Sequence, residues 1–511
     1  MGSKQWVNMK ITRVFAGDFG ASGGKCFAGI FEGGTFRLHE IHRFAHEAVS
    51  FFIPDAAGHI TERTYWNEVL LYQNLVQGLR EYRRTMADTL DSIGIDTWGA
   101  DGQLMSAEGD PLGKLYAYRD HRLDTMVEKV KAKVGAKKTY QLTGIHFQPF
   151  NVSNQLHWFM LNRGKTIKPG AYYLPAPTLF YYFLGGVKAV DSTFASVTQL
   201  MDAHTQQWSP EILRKLKIPA AIMPAIVPPG TVMGTLYAEL ATPIGLNRPP
   251  LIAVGGHDTA SAFAAAPVDH PEEALIISSG TWSLIGKLVP TAITTKEAMS
   301  YGLSNEGGIG NVRLLRNCMG TWLVQELRRG WQKADGHALT WLEMDRLTRE
   351  APAFTAFVDP DDPSFYNPPD MEAAIVAFCR CTGQPVPADR GTILQVVYES
   401  LALKYRFVNE ILTQVSGTPN KVVHIVGGGS KNEMLNQYAA NAIGLPVCAG
   451  PEEATAIGNC MVQAMGLGLI TSMKEAQPYI REAFPIREYK PRDEARWTTA
   501  YTTFKALIKK Q

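Results

Sequence analysis

Cysteine is scarce: six of 511 residues, of which only Cys379 and Cys381 lie close together. A disulfide framework is excluded, and no zinc-ligand spacing is present. No apolar run approaches the ~20 residues that span a bilayer. An excess of one charge is missing too. The 50 Lys+Arg and 48 Asp+Glu leave a formal net charge of +2, too little to capture nucleic acid or anionic lipid. The opening Met1-Gly2-Ser3-Lys4-Gln5-Trp6 has no apolar signal core, so no export is expected, and Met9 is an alternative start. These absences point to a protein of the reducing cytoplasm with neither nucleic acid nor membrane as partner. What is there, 45% hydrophobic and 19% charged residues, is the make-up of a globular chain too long for one core, so two domains are expected.

The pattern opens with three strands (11–17, 27–31 and 36–44) joined by short turns. An amphipathic helix over 65–82, a strand over 92–96 and a polar helix over 122–134 follow. Prolines break 140–235 into short aromatic-rich pieces, read as an insertion with its own small core or as the lining of a substrate pocket. Pro267-Val268-Asp269-His270-Pro271 marks a hinge. After it the plan recurs, with strands at 274–278, 283–289 and 312–315, helices at 320–330 and 392–412, a strand at 422–426 and a helix at 432–443. Two copies of one plan suggest a duplicated α/β domain.

Four Gly-rich turns carry the chemistry. In Asp18-Phe19-Gly20-Ala21-Ser22-Gly23-Gly24-Lys25, backbone N–H groups, Ser22 and Lys25 suit phosphate oxygens, and Asp18 suits Mg²⁺ directly or through water. The spacing fits neither a Walker A loop nor a dinucleotide fingerprint. Ser278-Ser279-Gly280-Thr281 repeats the device, and Gly427-Gly428-Gly429 sits between strand and helix, where a nucleotide can approach. Asn317 and Gln325, eight apart, are expected near one face of a helix. In Gly255-Gly256-His257-Asp258-Thr259, Asp258 follows a strand end and is the candidate general base. No G-x-S-x-G elbow supports a hydrolase, and His46-Glu47 lacks the second His of a zincin, because Ser50 stands there.

With those residues in view, the chain resembles the FGGY carbohydrate kinases, most of all their L-rhamnulose kinase branch. The resemblance runs from Phe15 to about Asn459 through Asp18–Lys25, Glu40–Phe44, Ile93–Gly99, Tyr118–Arg122, His257–Ser261, Ser278–Leu284, Asn305–Gly308, His424–Gly429 and Gly450–Ala454. It implies two ribonuclease-H-like (actin/Hsp70/hexokinase-type) domains around a central cleft. The sugar-binding domain with the catalytic aspartate would span 11–266 and the ATP-binding domain 272–490, with a C-terminal helix over 491–511. By residue it implies Asp258 as catalytic base and Asp18 as the Mg²⁺-associated carboxylate. Contacts to ATP fall to Ala21, Ser22, Gly23, Gly24, Lys25, Thr281, Gln325, Gly427, Gly428 and Gly429. Contacts to the sugar fall to Trp98, Gly99, Asp101, His257, Thr259 and Asn317.

Departures from the family pattern gather on the sugar side: His46 for Asn, Gly102-Gln103 for an aromatic or apolar pair, Pro177 for Asp, and Phe194 for a small polar residue. Lys25 also replaces an arginine. Because a hydrogen-bonding site discriminates hydroxyl epimers strongly, these departures bear on which sugar is taken; the resemblance implies ATP- and Mg²⁺-dependent phosphorylation of a ketose. L-Rhamnulose to its 1-phosphate is favoured, with L-fuculose, xylulose or ribulose as alternatives. The non-enzyme alternatives are an inactive sugar sensor or a nucleotide-switched binding protein. The assembly expected is a monomer or homodimer.

Overall fold

The computed structural model describes residues 11–54 and 57–508; the opening segment and Met9 lie outside the described residues. Contacts group the chain into two units that are not contiguous in sequence. The first runs to Ala265 and takes in Val289–Leu314 and Ala454–Ala483; the second comprises Ala266–Leu288, Leu315–Glu453 and the segment from Phe484.

The first unit is built on a six-stranded sheet. Its central strand, Thr12–Gly20, pairs antiparallel with Gly23–Glu32 and parallel with Ser92–Thr97. Thr35–Ala45 lies outside the hairpin, and Pro250–Ile252 and Val232–Thr235 continue the other side. Ser92–Thr97 is buried on both faces, as its apolar run requires. The helix Glu68–Thr85 buries Leu71, Leu75, Val76, Leu79 and Tyr82 at helical spacing. Asn67 caps it by accepting from the Leu70 N–H, and Arg83 and Arg84 sit in the last turn, where cations suit the helix dipole. It starts later than the sequence pattern suggests, because Tyr65 closes a hairpin, Val49–Pro54 with Ile60–Tyr65, that sequence reading missed.

The 140–235 region does have a core of its own, with Leu156, Phe159, Leu200, Ile212 and Leu213 gathered around Val130. Its other half, including Leu179, Phe180, Tyr181 and Phe194, packs into the core of the main sheet instead.

The second unit repeats the plan. Ala274–Ser279 pairs antiparallel with Trp282–Val289 and parallel with Val422–Val426, which pairs with Val447–Ala449 and, through it, with Arg487–Tyr489. The 27-residue helix Arg390–Ser416 is buried along most of its length. The last helix, Glu494–Ile508, packs Trp497, Tyr501 and Phe504 against Leu403 and Ala442. In both units a hairpin strand lies beside a parallel strand, so the chain ends of both Gly turns meet the C-terminal ends of parallel strands, where open α/β sheets place their ligands.

Candidate active site

In the first unit, the strand Pro250–Ile252 delivers Gly255 and Gly256 to the start of a short helix, Asp258–Ala264. Both glycines are demanded by close packing. A Cβ on Gly255 would lie 2.7 Å from the Ser261 backbone nitrogen, and one on Gly256 would lie 2.0 Å from Asp191 Oδ2. The Thr97 N–H donates to the Gly256 carbonyl (2.9 Å), so the end of the Ser92–Thr97 strand and the His257-Asp258-Thr259 corner are fixed together. Gly99 follows directly: a Cβ there would stand 2.4 Å from His257 Nε2. Sequence-expected residues Gly99, His257, Asp258 and Thr259 are thus assembled at one place.

The Asp258 side chain is 25% exposed and its Oδ1 lies 3.4 Å from His257 Nε2. Removal from water pushes its carboxyl up; His257, the Thr259 N–H and Arg313 oppose that and favour the ionised form. A carboxylate with a raised pKa and an open face can take a proton from a hydroxyl. Behind it stand residues that sequence reading gave no site role. Arg313 is fully buried, donates from Nη1 to Thr259 Oγ1 (2.8 Å), and lies 3.1 Å from Glu306 Oε2. Asp191 caps the Ser192–Val197 helix and backs Gly256. Their signal was present as charged residues inside otherwise apolar segments, Val312-Arg313-Leu314-Leu315 above all.

Asp18 pairs in register with Asp96 on the parallel strand. Asp96 is fully buried, takes a hydrogen bond from Asn459 Nδ2 (2.6 Å), and is pushed up by burial and by the charges of Asp18 and Asp258. Its Oδ1 has no hydrogen-bond partner among the described residues. Sequence reading missed Asp96, although it ends the same strand as Trp98-Gly99.

The first Gly turn is tighter than expected. Gly20 and Gly23 are register partners, so Ala21 and Ser22 alone make the turn. Gly24 and Lys25 lie within the strand, and Gly24 leaves room for the Phe44 ring, whose Cζ would be 2.1 Å from a Cβ. Asp101, expected among the sugar contacts, is fully buried with φ 73°. Its carboxylate receives Trp66 Nε1 (2.7 Å), Trp98 Nε1 (2.9 Å), the Tyr118 N–H (3.1 Å) and Gln155 Nε2 (2.9 Å). It orients Trp98 rather than meeting a ligand itself. Among the departures, His46 Nε2 donates to the Gly20 carbonyl (2.8 Å), and the ring lies 6.0 Å, ring to ring, from Trp98. Pro177 sits beside Gly256, Gly102 meets the Tyr173 hydroxyl, and Gln103 donates to the Leu104 and Gly113 carbonyls. Phe194 is fully buried in the core.

In the second unit, Gly280 and Thr281 form the hairpin turn, and Thr281 Oγ1 meets Gln325 Oε1 at 3.4 Å. Gly427 (φ 82°) and Gly429 close on this hairpin: a Cβ on Gly429 would lie 2.1 Å from Ser279 Oγ. Gly428 faces open space. The second and third Gly turns, with Thr281 and Gln325, are therefore one assembly. Asn317 is not on the helix with Gln325. It lies on the strand Val312–Met319, while Gln325 is on the helix Trp322–Asp335, and the strand-to-helix corner at Gly320 broke the assumed periodicity. Asn317 Oδ1 is a buried acceptor with no hydrogen-bond partner among the described residues.

Comparison with known proteins identifies the family. The N-terminal domain of the FGGY family of carbohydrate kinases matches residues 57–264, and its C-terminal domain matches 275–467. The Rhamnulokinase of Bacteroides thetaiotaomicron is 39% identical over 496 residues, covering 97% of this chain and 99% of the relative. That of Pectobacterium atrosepticum is 36% identical over 502 residues (98% and 97%). Among solved structures, a ligand-bound xylulose kinase from Lactobacillus acidophilus superposes with TM-score 0.76 at 15% identity, over 97% of each chain. A glycerol kinase from Plasmodium falciparum with ADP gives 0.75 at 17%, over 98% of each. The fold is thus the actin/hexokinase-like one of these sugar kinases, and the chain belongs to the FGGY family of carbohydrate kinases, ATP-dependent phosphotransferases.

Proposed function

We propose that this kinase phosphorylates a ketose, L-rhamnulose, to the 1-phosphate, with Asp258 as general base. The observation that carries the reading is the Asp258 carboxylate, partly open to solvent and raised by burial, set between His257 and Thr259, with the His257 ring packed against Gly99. The Rhamnulokinase relatives supply the substrate. The sugar hydroxyl oxygen forms a bond to the γ-phosphorus of ATP as the bond to the β,γ-bridging oxygen breaks. Asp258 takes the hydroxyl proton and ADP leaves. The family resemblance gives Ala21, Ser22, Gly23, Gly24 and Lys25 of the first unit to the phosphates, and Thr281, Gln325 and Gly427–Gly429 of the second unit to ATP. Gly99, His257, Thr259 and Asn317 meet the sugar.

Asp18, directly or through water, with Asp96 behind it, would hold Mg²⁺. The fit rests on two carboxylates in register on neighbouring strands, near enough that the charge of Asp18 raises Asp96, and on their oxygens being hard donors of the kind this cation takes. When bound it neutralises charge on the phosphates. L-Fuculose or another ketose is the second reading, because His46, which departs from the family pattern, lies against Trp98 on the sugar side.

ADP release from Mg-ATP with a panel of L-rhamnulose, L-fuculose, L-xylulose, D-xylulose, D-ribulose and glycerol tests this. L-Rhamnulose is expected to give the highest kcat/KM. A higher value for another ketose would replace the substrate, and no sugar-dependent release would remove the kinase reading. Asp258→Asn is expected to lower kcat by roughly 10²–10⁴-fold with ATP binding retained. Near-normal turnover by that variant would rule out the base.

A further inference from the structure

We propose that Arg313 is a positioning residue which sets the hydrogen-bond polarity of His257 and Thr259, so that both present donors beside Asp258. The proposal rests on the reading above that this corner binds the sugar. Arg313 is held rigidly. Nε donates to the Gly307 carbonyl at 2.8 Å, Nη1 donates to Thr259 Oγ1 at 2.8 Å, and Nη2 lies 3.4 Å from His257 Nδ1 in hydrogen-bonding geometry. Its guanidinium is fully buried and has Glu306 as counter-charge.

An arginine has donors only. Facing Nη2, His257 Nδ1 must therefore be the bare, accepting nitrogen, which puts the ring proton on Nε2. Glu306 Oε2, 3.3 Å from the same nitrogen, would favour the opposite tautomer. It takes no aligned hydrogen bond among the described residues, however, so the Arg313 contact decides. Nε2 is the nitrogen that faces Gly99 and lies 3.4 Å from Asp258 Oδ1 and 3.0 Å from Thr259 Oγ1. With Thr259 Oγ1 accepting from Arg313 Nη1, its own hydroxyl proton is left to donate. The corner then offers two donors, His257 Nε2–H and Thr259 Oγ1–H, next to one acceptor, Asp258. That set suits a carbon bearing a carbonyl or ring oxygen beside the hydroxyl that loses its proton.

The test pairs a spectroscopic with a kinetic readout. Nitrogen-15 NMR of the histidine rings, with the His257 signal assigned by its loss in His257→Gln, reports the tautomer without any turnover. The wild type is expected to carry the proton on Nε2. In Arg313→Met/Glu306→Leu, which removes the pair without stranding a buried charge, His257 is expected to become a mixture of tautomers. KM for the sugar should rise about tenfold or more, while KM for ATP and the melting temperature stay near wild type. Should that variant not fold, Arg313→Lys decides: it keeps the charge, loses the planar fork that spans Thr259 and His257, and is expected to show the same sugar-side shift. A wild-type proton on Nδ1, an unchanged tautomer in the variants, or an unchanged sugar KM would overturn the proposal. If no sugar is turned over, the kinase reading fails, but the tautomer measurement still decides the role of Arg313.

Discussion

Gly99→Ala is the smallest perturbation that reaches the candidate site. The added methyl would sit 2.4 Å from His257 Nε2, 2.6 Å from Cδ2 and 2.8 Å from Cε1, whereas ordinary contact begins at 3.4 Å. The ring must therefore retreat by about 1 Å, and a misplacement of that size can cost ~10²-fold in rate. It has little room to do so, because Thr259 Oγ1 holds Nε2 at 3.0 Å and Arg313 Nη2 stands behind Nδ1 at 3.4 Å. The expected result is a fall of roughly 10²-fold in kcat/KM for the sugar, with KM for ATP nearly unchanged, since the second-unit turns are untouched. Steady-state ADP release at saturating and limiting sugar reads this, with thermal melting as a control for folding. Wild-type sugar kinetics in a folded Gly99→Ala would refute the geometry. A loss shared equally between sugar and ATP would refute the assignment of this corner to the sugar.

Gly429→Ala should do the converse. A Cβ 2.1 Å from Ser279 Oγ overpacks the second and third turns at a cost of about 1–3 kcal/mol, so KM for ATP should rise roughly tenfold with the sugar KM little changed; equilibrium binding of a fluorescent ATP analogue checks it. Trp98→Phe removes one of the four donors to the buried Asp101 carboxylate and is expected to cost about 1.5–3 kcal/mol of stability, read from the urea midpoint. Glu399 is fully buried and its carboxyl is pushed up from 4.5 to about 7 by burial. Its native form therefore holds a proton that the unfolded chain has lost between these values: this stability is complete below pH 4.5 and is lost as pH rises through about 7, by roughly 2–3 kcal/mol between pH 5 and 8.5. Glu399→Gln should flatten that decline in urea titrations, and parallel curves for variant and wild type would contradict it.

How far the fold could be read from the sequence depended on whether one local signal decided an element. The strand Val422–Val426, bounded by Lys421 and Gly427, was legible to the residue because an apolar run met a glycine turn. The Val49–Pro54 hairpin was not, because all six of its residues are exposed and nothing in their pattern marks a buried face. The site divides in the same way. Asp258 could be singled out because it stands in a short motif whose carboxylate and glycines lie side by side, whereas His257 and Gly99 came from the family resemblance. Asp96, Asp191, Glu306 and Arg313 were not assigned, although each is buried and charged, because what brings them to the site lies far off in the chain, as with Asp191 behind Gly256. Arg313 meets Thr259 across 54 positions and Asp96 meets Asn459 across 363. A charge inside an apolar strand says that a partner must exist, since a lone buried ion is too costly to keep, but not where that partner is. Asp101 shows the same limit from the other side. Its place next to Trp98 and Gly99 suggested a ligand contact, and only the convergence of Trp66, Tyr118 and Gln155 on its carboxylate reveals that its oxygens are already taken. Sequence thus locates residues that act through their neighbours in the chain, whereas residues that act by holding others in place become visible only once the sheet has brought distant strands together.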